Sequence, residues 1–173
     1  QNMVRIFILL LLISNVSAQS IYCSLDNNTS SPVTLSNLVL YSEQLDNAAW
    51  TKTALTITAD SITAPNGTTT ADLITNTVAN SQHEMYSTGI TVVAASVYRM
   101  SIYMKYGTYA YVLLESQSPA TAYLGIDLST GSIGKVGSAV LSYSMTSVGN
   151  GWYLVSFTYT KSAGVTDYIT MSM

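Results

Sequence analysis

Ionisable residues are scarce in this sequence, and cysteine and histidine occur once each. Aspartate, glutamate, lysine and arginine together make up 9 % of the 173 residues, and the formal net charge is −3. The single cysteine, Cys23, excludes an internal disulfide, and the single histidine, His83, belongs to no zinc-site spacing. Because the basic residues are few and dispersed, we expect no nucleic-acid partner and, in the mature protein, no membrane partner.

Long apolar runs are missing as well, except at the N-terminus. A basic residue, Arg5, precedes the unbroken apolar run Ile6–Ile13, and small residues lead to Ala18. This order predicts a helical signal peptide at residues 1–18 that is cleaved after Ala18. An anchoring transmembrane helix is the alternative, but the run is far shorter than the roughly 20 residues that span a bilayer. We therefore expect an exported protein, either secreted (extracellular) or held at the cell surface.

The remaining sequence divides into a polar linker at residues 19–36 and one domain at residues 37–173. The linker has no hydrophobic period and contains Pro32. In the domain, polar and apolar residues alternate over short segments, of which Val97–Tyr106 is the clearest. In this segment, we expect Tyr98, Met100, Ile102, Met104 and Tyr106 to face the core, and Arg99, Ser101, Tyr103 and Lys105 to face outward.

Short alternating segments separated by turns indicate an all-β fold. Turn signals such as Ala64–Gly67, Ser129–Gly131 and Gly149–Gly151 separate the segments, and no helical period is sustained. This spacing predicts an antiparallel two-sheet β-sandwich. The last segment, Ile169–Met173, alternates without a following turn or cap, so we expect the final strand or strands of the domain to be missing.

Five segments, taken in order, resemble a known type of domain. They are residues 37–50 (NLVLYSEQLDNAAW), 64–72 (APNGTTTAD), 98–105 (YRMSIYMK), 127–131 (DLSTG) and 149–153 (GNGWY). The series resembles domains of phage tail and virion proteins and of secreted bacterial proteins, which are similar to the jelly-roll carbohydrate-binding modules attached to xylanases. The resemblance implies a jelly roll over residues 37–173, a polysaccharide or other glycan as partner, and a place in a larger chain. It also implies a final strand, which agrees with truncation.

Carbohydrate recognition requires flat aromatic rings for sugar faces and polar side chains for sugar hydroxyl groups. The outward face of Val97–Tyr106 is one candidate surface, and alternating residues of the next two segments can extend it. The alternative is that tyrosine and threonine are simply suited to β-sheet surfaces. The predicted ligand-binding residues are Arg99, Tyr103, Lys105, Tyr109, Tyr111, Glu115, Gln117, Tyr123 and Trp152.

The two tryptophans have different expected roles. Trp50 follows several leucines and is predicted to lie in the core. For Trp152, a core position and a position as a sugar platform are equally compatible with the alternation around it. Neither tryptophan is part of a catalytic pattern.

Catalytic patterns are not found elsewhere in the sequence. His83 and Glu84 are adjacent, and Glu115 is a further carboxylate, but nothing in the spacing pairs them across a scissile bond as glycoside hydrolysis requires. We therefore expect a protein that is not an enzyme.

No cofactor is required by the sequence, although the resemblance implies a possible structural Ca²⁺. Asp46, Asp72 and Asp127 lie beside turns, where carboxylate and carbonyl oxygens could gather around a hard cation. Capping of the turns by these same side chains is the alternative interpretation.

These observations favour a non-catalytic, exported module that binds a polysaccharide by aromatic stacking and hydrogen bonds. The alternative is a structural or interaction module of a fibre, adhesin or virion protein, without a sugar ligand. The two functions differ in what the outward sheet faces contact.

Overall fold

The structure is a computed structural model that describes residues 5–16, 37–77, 81–117, 121–161 and 164–173. Within these ranges the chain forms β-strands joined by turns, and no helix is present. The strands are β1 (Arg5–Val16), β2 (Trp50–Thr53), β3 (Leu55–Ile62), β4 (Ala71–Asn76), β5 (Glu84–Ser87), β6 (Ile90–Val92), β7 (Val97–Tyr106), β8 (Tyr111–Ser116), β9 (Ala122–Asp127), β10 (Ser132–Val136), β11 (Val140–Gly149), β12 (Trp152–Thr160), β13 (Val165–Asp167) and β14 (Ile169–Ser172).

Most of these strands belong to two six-stranded antiparallel sheets. Sheet A has the order β11-β12-β7-β1-β4-β3, and sheet B has the order β10-β9-β8-β14-β5-β2. Strands β13 and β6 form a separate antiparallel pair. The all-β, β-sandwich-like fold that the alternation predicts is thus confirmed.

The hydrophobic core lies between the two sheets, because one buried cluster draws residues from both of them. Met100, Ile102 and Met104 of β7 are fully buried from sheet A, as are Leu114 of β8 and Leu124 of β9 from sheet B. Strand β7 alternates between buried and partly exposed residues along most of its length. The predicted inward face of this strand is therefore confirmed, apart from its last residue.

That last residue is Tyr106, which is 43 % exposed, so the prediction that it faces the core is wrong. It is the last residue of β7, and the alternation of burial along the strand ends there. Trp50 has the predicted core position: it is buried, and its indole Nε1 donates a hydrogen bond to the carbonyl oxygen of Tyr41 at 2.9 Å.

The N-terminal apolar segment forms strand β1, between β4 and β7, and the expectation of a helix here is not confirmed. Ala18 and the linker at residues 19–36 lie outside the described residues. At the other end of the chain, β14 is an internal strand that pairs with both β5 and β8.

Candidate functional site

The structure divides the predicted ligand-binding residues between the outer faces of the two sheets. One group lies on β7 and at the start of β12 in sheet A, and the other lies on and beside β8 and β9 of sheet B. Since the core separates the sheets, the two groups face opposite sides of the sandwich, and they do not form the single surface that was expected. The sheet A group is Arg99, Tyr103, Lys105 and Trp152; the sheet B group is Tyr109, Tyr111, Glu115, Gln117 and Tyr123.

Trp152 is not available as a sugar platform in this structure, since it is only 1 % exposed. It packs with Ala64, Ala71 and the partly buried Tyr103, and its Nε1 donates a hydrogen bond of 3.3 Å to the carbonyl oxygen of Thr63. The segment between β3 and β4 thus covers this end of the outer face of sheet A. Alternation along β12 could not reveal this covering, because it comes from a segment remote in sequence.

Cross-strand hydroxyl pairs occupy the neighbouring part of sheet A. Ser142 and Thr158 are joined by a hydrogen bond of 2.7 Å, and Ser144 and Ser156 by one of 3.0 Å. These hydroxyl groups satisfy one another, and this part of the face carries no broad aromatic ring. The part of this face that β11 and β12 form therefore offers little for stacking.

Sheet B presents an open groove on its outer face. The groove has a volume of about 490 Å³. Tyr111 and Leu113 of β8 line it, because they alternate with the buried residues of that strand. Tyr109 lines the same groove, and Asp127 is paired in register with Tyr111. The groove therefore combines two tyrosine rings with a carboxylate.

The floor of the groove depends on a residue without a side chain. Gly125 of β9 pairs with Leu113 of β8 on one side and with Lys135 of β10 on the other. A Cβ atom at position 125 would lie 3.1 Å from the Cβ of Lys135. Glycine at this position lets the side chain of Lys135 lie across β9 and line the groove.

Beside the groove, Glu84 and Glu115 lie on strands that flank β14. In register, Glu115 pairs with Thr170 and Glu84 with Ser172. Burial raises the pKa of the Glu115 carboxyl above its usual range, and the charge of Glu84 raises it further. The two carboxylates are thus electrostatic neighbours, which the sequence spacing did not indicate.

Amide and aromatic side chains complete this part of the face. Gln82 Nε2 donates a hydrogen bond of 2.6 Å to Glu84 Oε2, and Gln117 Nε2 donates one of 3.1 Å to Thr170 Oγ1. The rings of Tyr86 and Tyr168 meet edge to face, with centroids 6.1 Å apart. Sequence analysis did not select these two tyrosines, although the alternation of β5 places Tyr86 on the partly exposed side of its strand.

Tyr123 lies near the start of β9, at the opposite end of this strand from Asp127. It pairs with Glu115, and its half-buried ring covers Gly137, where an added Cβ would lie 2.9 Å from the ring. Tyr123 therefore borders the face near Glu115, whereas Tyr109 and Tyr111 line the groove.

The three aspartates proposed for calcium do not form one cluster. Within the described ranges, no three histidine, cysteine, aspartate or glutamate side chains are grouped so as to hold a metal ion. Asp127 caps the turn after β9: its Oδ1 accepts hydrogen bonds from the backbone N–H and the hydroxyl of Ser129, and these bonds lower the pKa of Asp127. The role of Asp127 in this structure is therefore turn capping, which was the alternative to calcium binding.

Asp72 is buried and accepts backbone hydrogen bonds from Leu45 at 2.8 Å and from Asp60 at 3.1 Å. Burial raises its pKa in spite of these bonds. The positive charge near Asp46 and Asp72 belongs to a side chain, Lys52. Burial lowers the pKa of Lys52, and the charges of Asp46 and Asp72 raise it in part.

The ammonium group of Lys52 donates to three backbone carbonyl oxygens. The acceptors are Asp46 at 3.1 Å, Asn47 at 2.8 Å and Trp50 at 3.0 Å. Carbonyl and carboxylate oxygens of this kind also bind Ca²⁺. Lys52 thus supplies positive charge at the place where Asp46 and Asp72 were expected to bind calcium.

Comparisons with known proteins do not assign the chain to a family. No family model matches it, and no curated protein sequence matches it. Among the described residues there is also no helix with the length and apolar character needed to cross a membrane.

Proposed function

We propose that this protein is a non-catalytic carbohydrate-binding module that binds a polysaccharide through the outer face of sheet B. The observation that carries the proposal is the groove lined by Tyr109, Tyr111, Asp127 and Lys135. Sugar rings have apolar C–H faces that stack on tyrosine and hydroxyl groups that bond to charged and amide side chains. The groove and the polar groups beside it supply both kinds of contact.

The strand connections support a jelly roll as the specific topology. Strands β4, β7 and β12 lie in sheet A, whereas the strands β5, β8 and β14, which follow them in the sequence, lie in sheet B. The chain thus crosses repeatedly between the sheets, as a jelly roll requires. This topology agrees with the resemblance to carbohydrate-binding modules, in which an open sheet face holds the glycan.

A non-catalytic role fits the position of the carboxylates better than hydrolysis does. Glu84 and Glu115 lie beside the groove and are not among the residues that line it. Glycoside hydrolysis needs two carboxyl groups on either side of the bond that breaks. We assign these two residues to hydrogen bonding with sugar hydroxyl groups.

The proposed setting is outside the cell, as the predicted signal peptide indicates. There the module holds a larger chain near a secreted or cell-surface polysaccharide. The low charge of the sequence is compatible with a neutral glycan and unfavourable for nucleic acid or an anionic membrane surface.

A structural or interaction module of a fibre, adhesin or virion protein remains the second candidate, because edge strand β11 is unusually exposed. Leu141 is 60 % exposed, Tyr143 is 54 % exposed and Val148 is 41 % exposed. An uncharged edge strand with exposed apolar side chains is suited to pairing with another subunit.

Affinity electrophoresis of the full chain through gels containing different polysaccharides tests the first function. We expect one polysaccharide to retard the protein, and we expect Tyr111→Ala to weaken the apparent affinity about tenfold through the loss of one stacking contact. Tyr143→Ala is the matched control, because Tyr143 is similarly exposed but lies in sheet A. Folded protein that migrates freely in every gel, or equal losses in both variants, would reject the proposal.

A further inference from the structure

In sheet A, the strand position between β4 and β7 is filled by β1, a segment remote in sequence from both of its neighbours. Strands β4 and β7 each pair with β1 in the antiparallel sense, so they run parallel to each other with one strand position between them. Neighbouring strands in a sheet are about 4.8 Å apart, so an empty position would leave β4 and β7 about 10 Å apart, too far for direct hydrogen bonds.

The register of β1 defines the length of this position. On one side, Arg5–Ile8 pairs with Asp72–Thr75 of β4. On the other side, Leu11–Val16 pairs with Val97–Ile102 of β7, after a register shift that follows Ile8. The position therefore accepts a strand of 12 residues with one irregularity near its middle.

The two neighbouring strands carry part of the core, so an empty position is costly. Ile74 of β4 and Met100, Ile102 and Met104 of β7 are fully buried in the complete sheet. Removal of the strand between them leaves backbone N–H and C=O groups unpaired in the middle of a sheet, at about 1 to 3 kcal/mol for each buried group that water cannot reach. The folded protein therefore needs an occupant at this position.

The present occupant is the segment that the sequence predicts to be a signal peptide. Cleavage after Ala18 separates Arg5–Val16 from the domain, since the cut lies between this strand and all the others. The residues after Arg5 in this strand are uncharged and mostly apolar, which shows the chemistry that the position accepts.

We propose that the position between β4 and β7 is a strand-acceptor site that binds an extended, uncharged apolar segment of another polypeptide, antiparallel to both strands. Arg5–Val16 is then a replaceable occupant. The recognition is β-strand addition, in which backbone hydrogen bonds supply affinity and alternate side chains enter the core. This site belongs to sheet A, so it is independent of the proposed glycan-binding groove on sheet B.

A disulfide test in the full chain establishes whether the position is occupied as described. Leu12 and Ser101 are Cα partners in the register, so Leu12→Cys with Ser101→Cys places two cysteines opposite each other. The control pair is Leu12→Cys with Lys105→Cys, about 13 Å farther along β7. Both pairs are made in a Cys23→Ser background with a protease site engineered into residues 19–36.

After cleavage at the engineered site, the N-terminal fragment of the first pair should remain attached under non-reducing conditions and separate on reduction. On denaturing gels, which remove strand pairing, the control pair should release its fragment with and without reductant. Equal release from both pairs would show that β1 does not lie against β7 in this register, and the proposal would be abandoned.

Peptide exchange then tests whether the occupant is replaceable. The full chain with the engineered site is cleaved, unfolded in urea and refolded with excess fluorescent peptide of residues 5–16. We expect the refolded protein to carry the labelled peptide through gel filtration. A peptide with Ile8→Pro and Ile13→Pro should be captured at least tenfold less, because proline cannot donate to the ladder of a central strand.

Recovery of the original melting temperature without bound peptide or retained fragment would overturn the proposal, because the sheet would then be complete without an added strand. A cleaved chain that fails to refold with the peptide, under conditions in which the uncleaved chain refolds, would also overturn the proposal, because the position would then not accept a separate segment.

Discussion

At the residue scale, the most unusual feature is a buried ion pair in a chain with few charges. Lys161 Nζ lies 3.0 Å from Asp167 Oδ2, and neither side chain is exposed. The same oxygen accepts hydrogen bonds from Ser116 Oγ at 2.7 Å and from the Tyr159 hydroxyl at 3.2 Å. Burial, followed by the charge of Asp167, raises the pKa of Tyr159, so this hydroxyl remains a donor.

Lys161→Met should lower the free energy of unfolding by about 3 to 5 kcal/mol, because it leaves the Asp167 carboxylate buried without its cation. Urea denaturation at neutral pH measures the change. Lys135→Met, on the outer face of sheet B, is the control and should change stability by less than about 0.5 kcal/mol. Similar small changes in both variants would mean that water reaches Asp167.

A second residue-scale prediction concerns Glu115, whose pKa is raised above its usual 4.5 by burial and then by Glu84. A carboxyl group with a raised pKa binds more protons in the folded state than in the unfolded state. Its contribution therefore makes the protein less stable as the pH rises from 4.5 through the raised pKa. Glu84→Gln should lower the pKa of Glu115 and reduce this pH dependence.

An NMR titration of the glutamate carboxyl carbons measures the pKa of Glu115 directly. Glu43→Gln, which removes an exposed carboxylate from the segment before β2, is the control and should leave the pKa unchanged. An unchanged pKa in Glu84→Gln would show that the two carboxylates are too far apart to interact.

At the scale of the secondary-structure elements, the turn between β9 and β10 of sheet B packs against sheet A. Asp127 caps this turn at its start, and Gly131 closes it with a positive φ of 68°. A Cβ at Gly131 would lie 2.5 Å from the hydroxyl oxygen of Tyr153 on β12. The turn of sheet B therefore packs against a side chain of sheet A, and glycine makes this close approach possible.

Gly131→Ala should cost more stability than Gly67→Ala, although both positions have positive φ. At Gly67 an added Cβ meets nothing within 4 Å, so the expected loss is about 1 to 2 kcal/mol from the backbone conformation alone. At Gly131 displacement of Tyr153 should add about 1 kcal/mol or more. Thermal and urea unfolding compare the two, and equal losses would mean that the Tyr153 ring moves away freely.

At the scale of the whole molecule, three regions proposed to bind other molecules lie at different places in the sandwich. The groove is on the outer face of sheet B, the strand position between β4 and β7 is inside sheet A, and β11 forms an edge of sheet A. Strand β11 has 10 residues and contains no charged or proline residue that would discourage pairing with another strand. With a net charge of only −3, repulsion between molecules is also weak.

We expect the protein to self-associate through β11 as its concentration rises. Leu141→Lys should reduce this association at least tenfold, because a lysine on an exposed edge opposes strand pairing. Tyr111→Lys is the control, since Tyr111 is 65 % exposed but lies on an internal strand. Sedimentation velocity over a concentration series measures the effect, and a protein that is monomeric throughout contradicts the prediction.

The all-β class, the core position of Trp50 and most of the inward face of β7 could be predicted from the amino-acid sequence. These features follow from a local rule, since successive side chains of a strand point to opposite faces. Turn chemistry is equally local, so the turns ending at Gly67 and Gly131 were also predictable.

Which residues share a surface could not be predicted, because it depends on the packing of the folded chain. The tertiary structure separated Tyr103 from Tyr111, covered Trp152 with the segment between β3 and β4, and brought Glu84 near Glu115 across β14. Each of these outcomes depends on pairing between segments remote in sequence, and alternation within one strand carries no information about its neighbours. The candidate site therefore lies on sheet B and not on β7, because the pairing of strands, which no single strand's sequence reveals, determines which side chains are neighbours.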